Sequence, residues 1–176
     1  MNPEDAIDLL NHPKIRVDIP QTWADLGCGK GLFTNVLARK LAYGSKVYAV
    51  DRNIEAFRPD KLDGVTFEKV KADFESNALP IENLDGILMA NSLHFVSRKP
   101  DFIKKLGRYF RKQESYLVVE YDINISNAWV PYPISFLSLR EFFFAAGFGF
   151  VEKIHETSSM YRNGSIYSAL IQRFPN

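Results

Sequence analysis

The stretch Trp23-Ala24-Asp25-Leu26-Gly27-Cys28-Gly29-Lys30-Gly31 sets three alternating glycines between a short apolar run and the segment Leu32-Phe33-Thr34-Asn35-Val36-Leu37-Ala38. The apolar run predicts a strand over Thr22 to Leu26, and the following segment a helix from Leu32 to Tyr43, stopped by Gly44. Glycines at such a junction let the backbone turn through conformations closed to other residues, and let a ligand lie against bare peptide. The amides that open the next helix point into the same space. Strand, glycine loop and helix in that order make a nucleotide-type binding loop. The spacing narrows the ligand. Position 32 is Leu, so in this register the dinucleotide pattern Gly-x-Gly-x-x-Gly is not met. Asp25, two residues ahead of Gly27, would repel a pyrophosphate but suits a ligand carrying cationic groups.

Outward from this loop the chain alternates strands and helices. Pro3 to Asn11 reads as a short helix with acids in its first turn, followed by an irregular lead-in over Ile15 to Pro20. Lys46 to Val50 is a second strand ending in Asp51, an acid placed to accept ribose hydroxyls. A short helix follows, with Asn53 as its cap. Val65 to Val70 alternates as a strand near a sheet edge does, and leads to Ala72-Asp73-Phe74. Leu84 to Ala90 is nearly all apolar, as in a central strand buried on both faces. Asp85 begins that strand, so it lies at the opposite end from the loop and reads as structural. Asn91-Ser92-Leu93-His94-Phe95-Val96 leaves the carboxyl end, where open α/β sheets bind their ligands.

Lys99 to Lys112 is amphipathic, with Phe102, Ile103, Leu106, Tyr109 and Phe110 on one face. With Arg98 and Lys99 its other face forms the basic cluster of residues 98–112, a solvated face or a footprint for RNA or an acidic partner. Tyr116 to Glu120 is a fifth strand running into Tyr121 and Asp122. Asn124 to Leu137 is irregular and aromatic, either an acceptor pocket or a loop packed on the core. Ser138-Leu139-Arg140-Glu141 matches a capping box that opens a helix through Ala146. Phe148 to His155 and Ser165 to Arg173, joined through Arg162-Asn163-Gly164, read as a closing antiparallel pair.

On Asp25, Gly27, Gly29 and Gly31 the sequence resembles the first motif, Asp-x-Gly-x-Gly-x-Gly, of class I S-adenosylmethionine-dependent methyltransferases. Asp51 matches that family's second motif and Asp73-Phe74 its third, while Asn91 to Val96 resembles the fourth motif of its small-molecule members. The resemblance runs from about Gln21 to the C-terminus. It implies a three-layer Rossmann-like α/β fold, with a seven-stranded, mostly parallel sheet whose last strand is inserted antiparallel. Residues 1–20 then form a helical leader and 21–176 the methyltransferase domain. The resemblance further implies S-adenosyl-L-methionine as cofactor, held by Asp25, Gly27, Cys28, Gly29, Gly31, Asp51, Arg52, Asp73, Phe74 and Asn91. Arg52, beside the ribose acid, reads as solvated. His94 is the candidate base for a hydroxyl or amine acceptor, with a packed or merely hydrogen-bonded histidine as the alternative. Tyr121, Trp129 and Tyr132 join His94 on the acceptor side, with Glu120 and Asp122 as further candidates. The chemistry implied requires no metal.

Composition bounds the partners. With 176 residues, 46% hydrophobic and 14% aromatic, the chain can bury a substantial core. A formal charge of +1 gives no global attraction to nucleic acid. Cys28 is the one cysteine, which suits a reducing, cytoplasmic compartment, and neither a signal peptide nor a membrane span is expected. Three functions follow: methyl transfer to a small molecule, methyl transfer to RNA or protein, or a non-catalytic S-adenosylmethionine-binding module.

Overall fold

The computed structural model describes residues 1–13, 15, 18–158 and 164–174. Seven strands form one sheet in the order β3-β2-β1-β4-β5-β7-β6. They are β1 (Thr22–Leu26), β2 (Ser45–Asp51), β3 (Val65–Lys71), β4 (Gly86–Ala90), β5 (Ser115–Tyr121), β6 (Phe150–Ser158) and β7 (Ser165–Gln172). Strands β1 to β5 pair in parallel, while β7 pairs antiparallel with both β5 and β6. The inserted antiparallel strand is thus as expected. The turn expected at Arg162-Asn163-Gly164 lies largely outside the described residues, as do Arg16 and Val17 of the lead-in.

Alternate residues of the central strands go to opposite faces, and each face has its own core. Ile87, Met89, Tyr116 and Val118 pack with α3 (Lys99–Leu106) and α4 (Phe136–Ala145) through Phe102, Ile103, Leu106, Leu139 and Phe143. Leu88, Leu117 and Val119 pack with α1 (Pro3–Leu9) and α2 (Leu32–Ala38) through Ala6, Leu9, Val36 and Leu37. These two helix pairs make the outer layers. Gly86 is required by packing: a Cβ there would stand 2.3 Å from the Trp23 ring on the neighbouring strand. No helix among the described residues is long and apolar enough to cross a membrane.

Several element boundaries differ from expectation, each for a local reason. Helix α2 ends at Ala38, and its last turn continues as turn structure before Gly44. The amphipathic helix stops at Leu106, passes through one 3-10 turn at Gly107–Tyr109, and then Phe110 bridges to Leu84 beside the sheet. Helix α4 begins two residues before the expected capping box. Ser135 is its N-cap, accepting from Ser138 N, while Asp122 Oδ1 accepts from Phe136 N at 2.9 Å and fixes the first turn. Asn53 makes no side-chain cap. Instead its own N–H donates to Asp51 Oδ1 at 2.7 Å.

Candidate functional site

The chain leaves β1 toward β2 on one side and enters β4 on the other, so the strand order reverses between β1 and β4. The crevice outside the carboxyl ends of strands at such a point is the usual ligand site of an open parallel sheet. The glycine loop occupies the end of β1. Gly27, Gly29 and Gly31 all have positive φ, +85°, +53° and +98°. At Gly27 a Cβ would approach Ser92 Cβ to 2.7 Å and the Phe74 ring to 3.4 Å, whereas at Gly29 it would meet nothing within 4 Å. Gly27 is therefore required by close approach as well as by backbone, and Gly29 by backbone alone.

The loop is tied to the neighbouring strand ends by its own amides. Gly27 N and Cys28 N both donate to Val50 O, at 2.8 and 3.1 Å. Gly29 N donates to Asp51 Oδ2 at 2.9 Å, so the carboxylate at the end of β2 is held at the rim of the loop. Beyond β3, Asp73 Oδ1 accepts from Glu75 N and Ser76 N, and its Oδ2 lies 3.7 Å from an Arg52 Nη1. Apart from that weak pairing Arg52 is exposed, as its sequence position suggested. Phe74 stands 5.8 Å from Phe102, ring to ring. Lys105, placed by sequence on a solvated face, instead donates to the carbonyls of Phe74, Glu75 and Asn77 and pins the loop after β3.

Asp25 is buried in β1, with its Oδ2 accepting from Thr34 Oγ1 at 2.5 Å. Its Oδ1 has no partner. The same holds for Asn91 Oδ1 and Ser92 Oγ just past β4, and among the described residues these three are the buried side-chain polar atoms left unsatisfied. Such atoms are costly unless something meets them, and here they sit at the ends of the two strands that flank the reversal. Burial pushes the Asp25 carboxyl up to about 7, the Thr34 hydrogen bond opposes this, and the charge of Asp51 adds to it. A cation brought to this carboxylate would reverse the shift. Asn91 itself holds φ +53°, a left-handed conformation that asparagine tolerates better than most residues. Burial, followed by the charges of Asp25 and Asp51, pushes the Cys28 thiol up, so it stays protonated and is no nucleophile. A buried acid facing a close glycine loop, with a rim carboxylate beyond it, can take a cationic head and a diol.

Just past β4 and near the end of β5, His94 and Glu120 are 3% and 1% exposed. Glu120 Oε1 accepts from His94 N at 3.0 Å, and Oε2 lies 2.6 Å from His94 Nδ1. Tyr132 N donates to His94 O at 3.0 Å, and Lys99 Nζ donates to the carbonyls of Val96 and Tyr132. Burial lowers the Lys99 pKa, with Glu120 and Glu75 opposing. The Tyr121 ring centroid is 6.2 Å from that of His94.

The aromatic stretch divides. Val130 and Ile134 are buried, Phe136 packs edge-on against Tyr167, and Tyr132 reaches His94 through the backbone. Trp129 is 83% exposed and is brought to none of the other site residues. Asp122 is engaged with Phe136 N and Lys153. Sequence reasoning named neither Thr34 nor Lys105 as part of the site. Their partners lie 9 and 28 to 31 residues away, and no local pattern marks them.

Residues 24–118 match the model of a family described as a methyltransferase domain. No curated protein matches the chain. A SAM-dependent methyltransferase from Aquifex aeolicus is 17% identical over 99% of this chain and 100% of its own, with a TM-score of 0.63. One from Methanosarcina mazei is 17% identical over 94% and 99%, with a TM-score of 0.67. The 1,6-didemethyltoxoflavin-N1-methyltransferase of Burkholderia thailandensis, crystallised with 1,6-didemethyltoxoflavin and S-adenosylhomocysteine, is 16% identical over 98% and 78%, with a TM-score of 0.67.

Proposed function

The chain belongs to the methyltransferase-domain family, and from that premise we propose that it is a class I, S-adenosylmethionine-dependent enzyme that methylates a small molecule held beside His94. The observation that carries this reading is the buried His94–Glu120 pair, which joins the segment after β4 to the carboxyl end of β5 and is tied to the aromatic stretch through Tyr132. Asp25, with the free Oδ1, takes the cationic end of the methyl donor. Gly27, Cys28, Gly29 and Gly31 form the floor beneath it, and Asn91 the wall. Asp51 accepts the ribose hydroxyls, and Asp73 and Phe74 flank the base, with Arg52 outside. S-adenosylmethionine, when bound, supplies a methyl group on a sulfonium that is already a good leaving group. The protein then has to hold the acceptor in line and exclude water. His94 takes the proton that a hydroxyl or amine acceptor sheds. Tyr121 and Tyr132 border the acceptor, and Trp129, exposed and apart from them, is left outside this wall.

The small-molecule reading agrees with the Burkholderia thailandensis enzyme, which is named for methylation of 1,6-didemethyltoxoflavin. It gains nothing from a nucleic-acid alternative, because Lys99, Lys105 and Arg111 of the basic stretch are engaged by carbonyls and by Asp85 within the chain. The test is transfer of a labelled methyl group to a panel of small hydroxylated and aminated aromatics, run beside RNA and peptide pools. Label in a small molecule is expected. Label in RNA or peptide alone would overturn the reading.

A further inference from the structure

We propose that Glu120 is a positioning residue that fixes the tautomer of His94, with the ring proton on Nδ1 and Nε2 left as the proton acceptor. The proposal rests on His94 serving as the base, as above, but its geometry stands apart from that. Glu120 meets two groups of the same residue, the backbone N–H through Oε1 at 3.0 Å and ring Nδ1 through Oε2 at 2.6 Å. The backbone N–H can only donate, so Oε1 is committed as an acceptor. An ionised carboxylate accepts at both oxygens, which leaves Nδ1 as the donor and turns the lone pair to Nε2. Lys99 Nζ bonds the carbonyls of Val96 and Tyr132 and so brings a cation beside the segment that carries His94. Both partners are almost fully buried, so water does not compete for either bond. The ring is thereby held in one orientation and one protonation pattern, as a carboxylate does for a catalytic imidazole elsewhere. The acceptor class that follows is an O–H or N–H group that must lose its proton as the new bond to the methyl carbon forms, with that proton passing to Nε2.

Glu120→Gln separates this role from simple packing. The fixed backbone N–H takes the glutamine carbonyl, so the amide NH2 faces Nδ1 and forces it to accept, moving the ring proton to Nε2. Long-range proton–nitrogen correlation spectra of the 15N-labelled protein read the tautomer directly. With three histidines in the chain, the His94 signals are identified by their absence from His94→Gln. Wild type is expected to show Nδ1 protonated and Glu120→Gln to show Nε2 protonated, with S-adenosylmethionine affinity unchanged. With an acceptor from the panel above, kcat is expected to fall by about a thousandfold or more at nearly constant KM, and Glu120→Asp to restore part of it. Nε2 protonated in wild type, or the same tautomer in both proteins, would overturn the proposal. A tautomer switch with unchanged kcat would instead overturn His94 as the base.

Discussion

The two walls of the crevice are built by different means. On the donor side, the glycine loop and the carboxylates of Asp51 and Asp73 are oriented mainly by backbone amides close in the chain or on the adjoining strand. On the acceptor side, His94 is held by Glu120, 26 residues away, and by a stretch that runs beyond β5. Apart from the buried Asp25–Thr34 pair, the donor wall therefore depends on backbone conformation, and the acceptor wall on a buried side-chain pair. The first kind of site is rigid by geometry and tolerates solvent at its rim. The second works only while its environment stays dry.

Substitutions on each wall should sharpen or break this contrast. The largest effect is expected at Asp25. Its carboxyl is raised to about 7 in the folded chain, from 3.8 when unperturbed. Between those values the unfolded chain releases this proton while the folded chain keeps it. Relative to Asp25→Asn, stability should therefore fall as pH rises from about 4 to about 7 and level off above, by about 4 kcal/mol in total. Urea titrations across that range check it, and parallel pH profiles for the two proteins would contradict it. A cationic ligand should reverse the shift, so S-adenosylmethionine binding near pH 6.5 should release a proton in wild type and not in Asp25→Asn. Calorimetry in buffers of different ionisation enthalpy reads that difference.

Next is Gly27→Ala. Positive φ and a 2.7 Å approach to Ser92 Cβ should cost about 3 kcal/mol of stability and abolish detectable cofactor binding. Thermal unfolding and calorimetry check both, and near-wild-type values would mean that the loop yields where the donor wall is taken to be stiff. Asp51→Ala should weaken cofactor binding by about 1–3 kcal/mol while the chain stays folded, and unchanged affinity would remove Asp51 from the site. Smallest is Trp129→Ala. At 83% exposure and apart from the other site residues, it should change stability by less than about 0.5 kcal/mol and leave acceptor KM and donor affinity unchanged. A severalfold rise in acceptor KM would extend the acceptor wall beyond His94, Tyr121 and Tyr132 to Trp129.

The same contrast explains what could be read in the amino-acid sequence. Positive φ at Gly27, Gly29 and Gly31 is a local demand that glycine alone meets cheaply, and the strands themselves follow from patterns that each segment carries, while the antiparallel last strand was implied by the family resemblance. The position of Asp85 at the far strand end was equally legible, and there it accepts from Thr22 N at 2.7 Å and pairs with Arg111. What could not be read was pairing across the chain. Nothing near Glu120 marks it as the partner of His94, and nothing near Lys105 marks it as the clamp on the loop after β3. The start of α4 was misplaced for the same reason: two serines three residues apart offer competing caps, and the choice falls to Asp122, which takes the Phe136 N–H.

The central claim is that the crevice outside β1 and β4 takes a sulfonium nucleoside, and calorimetric titration tests it most directly. Wild-type protein titrated with S-adenosylmethionine and, separately, with NADH should bind the first in the micromolar range and not the second, and Asp51→Ala should bind S-adenosylmethionine at least several times more weakly. Binding of NADH alone, or S-adenosylmethionine affinity indifferent to Asp51, would contradict the account.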